Sequence, residues 1–149
     1  PLAFGTICTG SDITAKVLEK LLRYWQEDAG IALDCSIRFG CESAPEKRSF
    51  LLAQFPGLHL FCEAAELDRH KARLSSGEFA TVPACDVLLA GFSCKSRSPL
   101  NARAKQNKGC VAAGVEETGQ TFAYTEAYMR TKQTTTGDFG KCGRARRVG

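Results

Sequence analysis

A short apolar run that ends in a polar turn sets the strongest constraint on how this chain folds. The run extends from Val87 to Ala90, Gly91 ends it, and a loop rich in Ser, Lys and Arg follows. An unbroken apolar run of this length is typical of a parallel strand that is buried on both faces. Ligands bind at the carboxyl edge of open α/β sheets, so Cys94 in that loop lies where chemistry is expected.

Two interpretations of Cys94 follow from the residues alone. Lys95 and Arg97 flank the thiol, and nearby positive charge lowers a cysteine pKa and increases the nucleophilic thiolate fraction. The chain also has eight cysteines, and most free cysteines in proteins are small buried apolar residues. The residues leave both a reactive and a purely structural role open.

The N-terminal segment predicts a strand, a turn and a helix. Residues 2–8 form an apolar run, residues 9–12 are typical of a turn, and apolar residues recur at helical spacing from Ile13 to Trp25. Ser11 or Asp12 is placed to cap the helix. Such a unit suits a nucleotide-type cofactor, because glycine permits close approach and the helix start offers free N–H groups. Glycines that only shape the turn would give the same pattern.

Two further strands are predicted, and each is followed by an acid. Residues 35–42 end in Glu42, a helix begins at Pro45, and residues 58–62 precede Glu63. An acid after the second strand of a nucleotide-binding fold typically bonds ribose hydroxyls. From spacing alone, capping of the Pro45 helix is an equally good explanation of Glu42. Residues 68–83 are interpreted as a connecting segment and residues 101–113 as a flexible loop, before a helix over residues 116–130.

Four segments together resemble the cytosine-C5 DNA methyltransferases. Gly-Phe-Ser-Cys-Lys-Ser-Arg-Ser, residues 91–98, resembles the family's Gly-Phe-Pro/Ser-Cys-x-x-x-Ser loop, whose cysteine is the nucleophile. The Phe-Gly-Thr-Ile-Cys-Thr-Gly turn at residues 4–10 resembles the motif that holds S-adenosylmethionine. Phe-Gly-Cys-Glu-x-x-Pro-x-Lys, from residue 39, is similar to the second motif, and Glu63 stands where the family has an aspartate. The resemblance covers residues 2–130 in the family's order.

The resemblance implies a fold and a set of site residues. The fold is α/β, a Rossmann-like S-adenosylmethionine-dependent methyltransferase with four parallel strands in the order 3-2-1-4 and helices on both faces. Cys94 is implied as the catalytic nucleophile, Glu42 as the ribose ligand and Glu63 as the adenine ligand. The implied cofactor-binding set is Phe4, Gly5, Thr6, Cys8, Gly10, Asp12, Glu42, Ser43, Glu63, Ala64 and Gly91. The implied substrate loop consists of Ser93, Lys95, Ser96, Arg97 and Ser98.

The resemblance also implies a partner and a missing part. We expect a DNA cytosine substrate, with RNA as an alternative because some proteins with these motifs modify transfer RNA. The chain has no Glu-Asn-Val segment, whose glutamate bonds cytosine N3 in the family, so we expect a separate C-terminal catalytic and target-recognition half. Alone, the chain is expected to be inactive. A non-catalytic remnant that binds only the cofactor is the other alternative.

The composition of the chain bears on its location and on its thiol and metal chemistry. The 149 residues contain no apolar run long enough to cross a membrane, and no signal peptide is visible. The absence of a Cys-x-x-Cys pair and the presence of only two histidines argue against a metal site. Reduced thiols and an intracellular location are therefore expected, nuclear in a eukaryote. The chain begins at Pro1, which we interpret as the start of an excised piece.

Charge divides the chain into a body and a tail. Residues 131–149 contain five basic residues and one acid, so this segment accounts for the whole net charge of +4. It has few apolar residues and is predicted to be a disordered tail. Residues 1–130 are predicted to form the partial methyltransferase domain. The body is close to neutral and is not expected to bind polyanions generally.

Overall fold

The computed structural model describes residues 2–31, 34–92 and 110–133. Six strands lie in these ranges: β1 (Leu2–Ile7), β2 (Cys35–Cys41), β3 (Leu60–Phe61), β4 (Lys71–Arg73), β5 (Phe79–Thr81) and β6 (Val87–Ala90). The helices are α1 (Ile13–Asp28), α2 (Pro45–Gln54), α3 (Cys110–Ala113) and α4 (Glu116–Gln133), and one 3-10 turn covers Ala64–Glu66. Among the described residues, no helix is long and apolar enough to cross a membrane.

The main sheet is parallel and has the order β3-β2-β1-β6. β6 is the apolar run identified in the sequence, so the predicted order of the four parallel strands is confirmed. Ile7 at the end of β1 pairs with Cys41 on one side and with Ala90 on the other. The carboxyl ends of three strands therefore meet at one level, and β3 ends beside β2 through the pair of Cys41 and Phe61.

Helices cover both faces of this sheet. On one face Ala15 of α1 and Leu51 and Phe55 near α2 bury Leu60 in a small apolar cluster. On the other face Tyr128 of α4 joins a larger cluster with strand residues of the sheet. The Tyr128 ring lies 5.4 Å from that of Phe39, centroid to centroid. The prediction of helices on both faces is confirmed.

An irregularity in β2 decides which side chains reach which face. The register with β1 changes between the pairs Phe4–Ile37 and Gly5–Phe39, so Arg38 is an extra residue. A single inserted residue reverses the alternation of all side chains that follow it. Ile37 accordingly packs towards the α1 and α2 cluster, whereas Phe39 and Cys41 belong to the cluster beneath α4.

Two predictions about the connections are wrong. Residues 68–83 were expected to form an irregular connection, but β4 and β5 form an antiparallel hairpin there, with Ala72 opposite Ala80. The hairpin forms because both alanines pack against the large cluster while their neighbours face solvent. Residues 110–113, expected in a loop, form α3, which packs on α4. Helix α4 continues to Gln133, three residues beyond the predicted end.

Helix α1 uses only part of its apolar surface. Of the apolar residues at helical spacing, only Leu18 and Leu22 are half-buried, next to the buried Ala15. A second stripe of the helix, comprising Ile13, Val17, Leu21 and Tyr24, is exposed. Within the described residues nothing covers this stripe.

Candidate functional site at the carboxyl edge of the sheet

Backbone hydrogen bonds bring the ends of the four parallel strands together. Cys8 N–H donates to the Cys41 carbonyl at 2.8 Å, and Glu42 N–H donates to the Phe61 carbonyl at 3.1 Å. Gly91 N–H donates to the Ile7 carbonyl at 2.9 Å. The residues that follow β1, β2, β3 and β6 therefore lie in one row along this edge. This is the edge at which open α/β sheets bind ligands.

The turn between β1 and α1 has an unusual backbone. Three of its residues have positive φ angles: Cys8 at 54°, Gly10 at 65° and Asp12 at 50°. Glycine adopts this region freely, but each L-residue there costs about 1–2 kcal/mol. Strained residues of this kind concentrate at ligand-binding sites, where the surrounding structure holds them in place. The turn is therefore a candidate for ligand contact on conformational grounds alone.

Asp12 begins α1 but does not cap it with its side chain. A capping side chain needs an extended backbone, and Asp12 instead has φ 50° and ψ 43° with no side-chain cap hydrogen bond. The helix start is closed by its backbone carbonyl, which accepts from Ala15 N–H at 3.0 Å. The carboxylate is only 1% exposed, and its Oδ1 has no hydrogen-bond partner within the described residues. The predicted side-chain cap is absent, and a buried acceptor remains free.

Glu42 presents a second buried carboxylate in the next strand-to-helix turn. The residue is 4% exposed, and its Oε1 accepts from Ala44 N–H at 3.1 Å. Its Oε2 is buried and has no hydrogen-bond partner in the part of the chain that the structure describes. Ala44 is the N-cap position of α2, so Glu42 bonds the residue before the first helical turn, not the N–H groups within it. One oxygen of the Glu42 carboxylate is bonded to the backbone, and the other is free to accept a hydrogen bond.

Two thiols lie near the Glu42 carboxylate. Burial, reinforced by the nearby Glu42 carboxylate, raises the pKa of the Cys8 thiol to about 11. Burial also raises the Cys41 pKa well above its ordinary value, and the neighbouring Cys8 and Glu63 act in the same direction. Both thiols are therefore protonated at neutral pH. They are free, but the electrostatics of this edge make them poor nucleophiles.

The residues after β3 continue the same row. Glu63 is exposed and precedes the 3-10 turn, where Glu66 N–H donates to its carbonyl at 3.1 Å. Its carboxylate is close enough to influence the pKa values of Cys8 and Cys41. Ala64 packs against the large apolar cluster. Ser43, after β2, is exposed, and its carbonyl accepts from Arg48.

Gly91 joins the start of the cysteine loop to the β1–α1 turn. A Cβ atom on Gly91 would lie 2.8 Å from the Cys8 carbonyl oxygen and 3.2 Å from Thr9 Cα. Only glycine permits this approach of two backbones. The following Phe92 packs edge-on against Phe122 of α4, with ring centroids 5.7 Å apart. The start of the loop is thus held at the edge by the β1–α1 turn and by α4.

Three of the predicted cofactor residues lie inside β1 and away from its end. Phe4 is buried and lines a cavity of about 360 Å³ between α1 and α2, together with Leu18, Leu22 and Phe55. A Cβ on Gly5 would lie 2.4 Å from the Phe39 ring, so Gly5 makes room for an aromatic side chain. Thr6 is fully enclosed in the sheet. Packing accounts for Phe4 and Gly5, and the buried Thr6 offers almost no surface to a ligand.

The predicted nucleophile and substrate loop lie outside the described residues. This concerns Ser93, Cys94, Lys95, Ser96, Arg97 and Ser98. The same holds for the predicted tail beyond Gln133. The described part therefore contains the cofactor half of the predicted site and the two residues that lead into the loop.

Two residues near the edge were not predicted. Arg48 Nη1 donates to the Glu42 carbonyl at 3.2 Å and to the Ser43 carbonyl, and so fixes the turn that carries Glu42. Arg48 lies one helical turn after Ala44, and this spacing was the only sign in the sequence that its side chain could reach back to the turn. Glu117 at the start of α4 lies close enough to raise the Cys8 pKa. No local pattern indicates Glu117, because its approach depends on tertiary packing.

The described residues contain no group of three His, Cys, Asp or Glu side chains that could hold a metal ion. The chain matches no model of a known protein family. It also matches no curated protein. The geometry and the sequence motifs therefore carry the functional interpretation.

Proposed function

We propose that this chain is the S-adenosylmethionine-binding part of a cytosine-C5 methyltransferase that acts on DNA, with Cys94 as its nucleophile. The proposal combines the motif resemblance over residues 2–130 with the position of the motif residues in the fold. In this reading the parallel sheet is the first half of a Rossmann-like methyltransferase sheet. The cofactor lies across the ends of β1, β2 and β3, and the cysteine loop begins at the end of β6.

One observation carries the proposal. Asp12 and Glu42, in two consecutive strand-to-helix turns, each hold a buried carboxylate oxygen without a hydrogen-bond partner in the described residues. Leaving a buried acceptor unpaired costs about 1–3 kcal/mol. Such a cost at two adjacent positions of one sheet edge is expected where a ligand supplies the missing donors. The two residues are also members of the set that the motifs select.

The chemistry of the cofactor fits these acceptors. A ribose offers hydroxyl donors, which suits the free Oε2 of Glu42, since Oε1 already accepts from Ala44 N–H. The methionine end carries an ammonium group, which suits the Asp12 carboxylate. Exposed Glu63, next in the row, would accept from an adenine amino group. When bound, S-adenosylmethionine would supply an electrophilic methyl group.

Cys94 takes the nucleophilic role because two cations are its neighbours in the sequence. Burial raises the pKa values of Cys8, Cys41 and Cys85, whereas Lys95 and Arg97 flank Cys94 and favour its thiolate. The thiolate would add to C6 of cytosine, C5 would take the methyl group, and loss of the C5 proton would release Cys94. The acid that acts at cytosine N3 belongs to the expected C-terminal half.

Calorimetric titration with S-adenosylhomocysteine, the demethylated cofactor, tests the proposal. We expect saturable binding by the purified chain and a 10- to 150-fold weaker affinity for Glu42→Gln. The range corresponds to about 1.5–3 kcal/mol for a lost hydrogen bond to a charged group. The amide keeps the size of the side chain, but with its oxygen held by Ala44 N–H it presents an NH2 donor where Glu42 has its free acceptor.

Glu27→Gln is the matched control. Glu27 is exposed near the end of α1, and α1 starts at the carboxyl edge, so the same charge is removed at the far end of the helix. We expect it to bind like the wild type. A folded wild-type chain that does not bind the ligand would refute the proposal. Equal loss in both variants would show that net charge, not the Glu42 carboxylate, determines affinity.

A further inference from the structure

We propose that the solvent face of the β4–β5 hairpin binds single-stranded nucleic acid, with a base stacked on Phe79 and phosphates contacted by Lys71 and Arg73. The site is separate from the proposed cofactor edge and does not depend on the proposed methyltransferase function. It lies on the segment that sequence analysis interpreted as a simple connection.

The register of the hairpin places these side chains on one face. Arg73 is directly opposite Phe79, Lys71 is opposite Thr81, and Ala72 is opposite Ala80. Successive side chains of a strand point to opposite faces, so both cations and the aromatic ring share the face that the alanines do not. Ala72 is buried and Ala80 packs against the large apolar cluster. The face with Lys71, Arg73 and Phe79 is therefore the solvent face.

The two cations of this face are not paired with the described acids around it. Glu66 accepts from Arg73 N–H at 3.1 Å and lies 3.8 Å from the Arg69 guanidinium. Glu78 accepts from the Ser76 hydroxyl at 3.5 Å in the hairpin turn. Asp68 is exposed just before β4. Neither the Lys71 ammonium nor the Arg73 guanidinium lies within 4 Å of a carboxylate oxygen of a described residue. Both cations are available to a phosphate.

Phe79 is exposed to an extent that packing does not explain. Its side chain is 64% exposed opposite Arg73, next to the hairpin turn, although the flanking Ala80 is turned to the core. An exposed aromatic ring beside cations is the combination with which proteins bind single strands. Bases stack on the ring through their faces, and the cations follow the backbone. A duplex hides its base faces, so the aromatic component selects single strands.

The hairpin is rigidly attached, as a binding platform requires. Cys62 N–H donates to the Arg73 carbonyl at 3.0 Å, and Ser75 N–H donates to the Leu60 carbonyl at 2.7 Å. These bonds fix β4 alongside β3 at the outer edge of the main sheet. Exposed side chains on a fixed backbone lose less conformational freedom on binding than side chains on a mobile loop.

Fluorescence anisotropy with labelled single-stranded oligonucleotides of DNA and of RNA, titrated with the full chain, tests this inference. Lys71→Gln combined with Arg73→Gln is expected to weaken binding at least tenfold. Each lost phosphate contact on a single strand lowers the slope of log K against log salt by about 0.7, so the slope should fall by about 1.4. Phe79→Ser is expected to weaken binding about tenfold with the salt slope unchanged.

The matched controls are on α1. Lys20→Gln combined with Arg23→Gln removes the same charge from exposed positions, and Tyr24→Ser removes an aromatic ring that is 57% exposed. Both controls should retain wild-type affinity, which separates the hairpin from the net charge and from the basic tail. Equal weakening in hairpin and helix variants would overturn the inference, and so would unchanged binding in the hairpin variants. Unchanged binding by Phe79→Ser alone would also overturn the inference, because the proposed site includes a base stacked on this ring.

The outcome is distinguishable from that of the proposed function. Affinity for S-adenosylhomocysteine should be the same in the hairpin variants as in the wild type, because neither cation nor ring lies at the carboxyl edge. Loss of oligonucleotide binding with retained cofactor binding supports the inference. Retained oligonucleotide binding in those variants contradicts it, whatever the cofactor titration shows.

Discussion

Gly91→Ala should destabilise the chain by bringing a methyl group against backbone that cannot move away. The new Cβ would lie 2.8 Å from the Cys8 carbonyl oxygen and 3.2 Å from Thr9 Cα. Overpacking of this kind costs about 1–3 kcal/mol. The lower entropy of the unfolded alanine chain returns about 0.4–1 kcal/mol. We therefore expect a net loss of about 1–2 kcal/mol in the free energy of unfolding.

Gly40→Ala is the control, because Gly40 also lies at the end of a strand but faces movable side chains. Its Cβ would meet Leu60 Cδ1 at 3.1 Å and Leu58 Cδ2 at 3.2 Å. Both variants are measured by urea unfolding, where a loss of 1–2 kcal/mol shifts the midpoint by about 0.5–1 M at an unchanged slope. The reasoning is refuted if Gly91→Ala is as stable as Gly40→Ala.

Three further predictions concern the thiols and the buried tyrosine. The Cys8 pKa is about 11 in the folded chain, against an ordinary 9.0. Between pH 9 and 11 the folded state therefore keeps a proton that the unfolded state loses, and the free energy of unfolding should fall over this range. Urea midpoints across this range should decline less steeply in Cys8→Ala, and equal slopes would contradict the assignment. Tyr128→Phe removes the hydroxyl that donates to the Pro83 carbonyl at 2.9 Å, and this should lower the free energy of unfolding by about 1 kcal/mol. Thermal unfolding measures this change, and an unchanged midpoint would argue against that hydrogen bond. Alkylation with iodoacetamide at pH 7.5, followed by peptide mapping, should modify Cys94 first, and a fast phase that persists in Cys94→Ser would exclude Cys94 as the reactive thiol.

The parallel strands could be predicted from sequence because each is a short, mostly apolar run that is followed by turn residues or by an acid. The run of residues 87–90 carries this signal fully, and the structure has a strand with those bounds. The strand order required the motif resemblance, since apolar runs alone do not specify neighbours. The hairpin was missed because β4 and β5 have three residues each, so the alternation around Ala72 and Ala80 is too short to stand out.

The chemistry of the site could be predicted only in part. The motifs select Asp12 and Glu42, but their free oxygens result from the turn conformations, notably the positive φ of Asp12, which no local pattern indicates. Gly91 was selected for the cofactor, and the structure adds a contact between two backbones that excludes any side chain there. The approach of Glu117 to Cys8 joins distant parts of the chain and depends on how α4 packs.

NMR shift mapping with S-adenosylhomocysteine shows directly whether the cofactor binds at the carboxyl edge of the sheet. We expect the largest amide shifts on the β1–α1 turn, on Glu42, on Glu63 and on Gly91. The cavity between α1 and α2, lined by Leu18, Leu22 and Phe55, is the competing location. Shifts concentrated around that cavity, with an unperturbed carboxyl edge, would contradict the account.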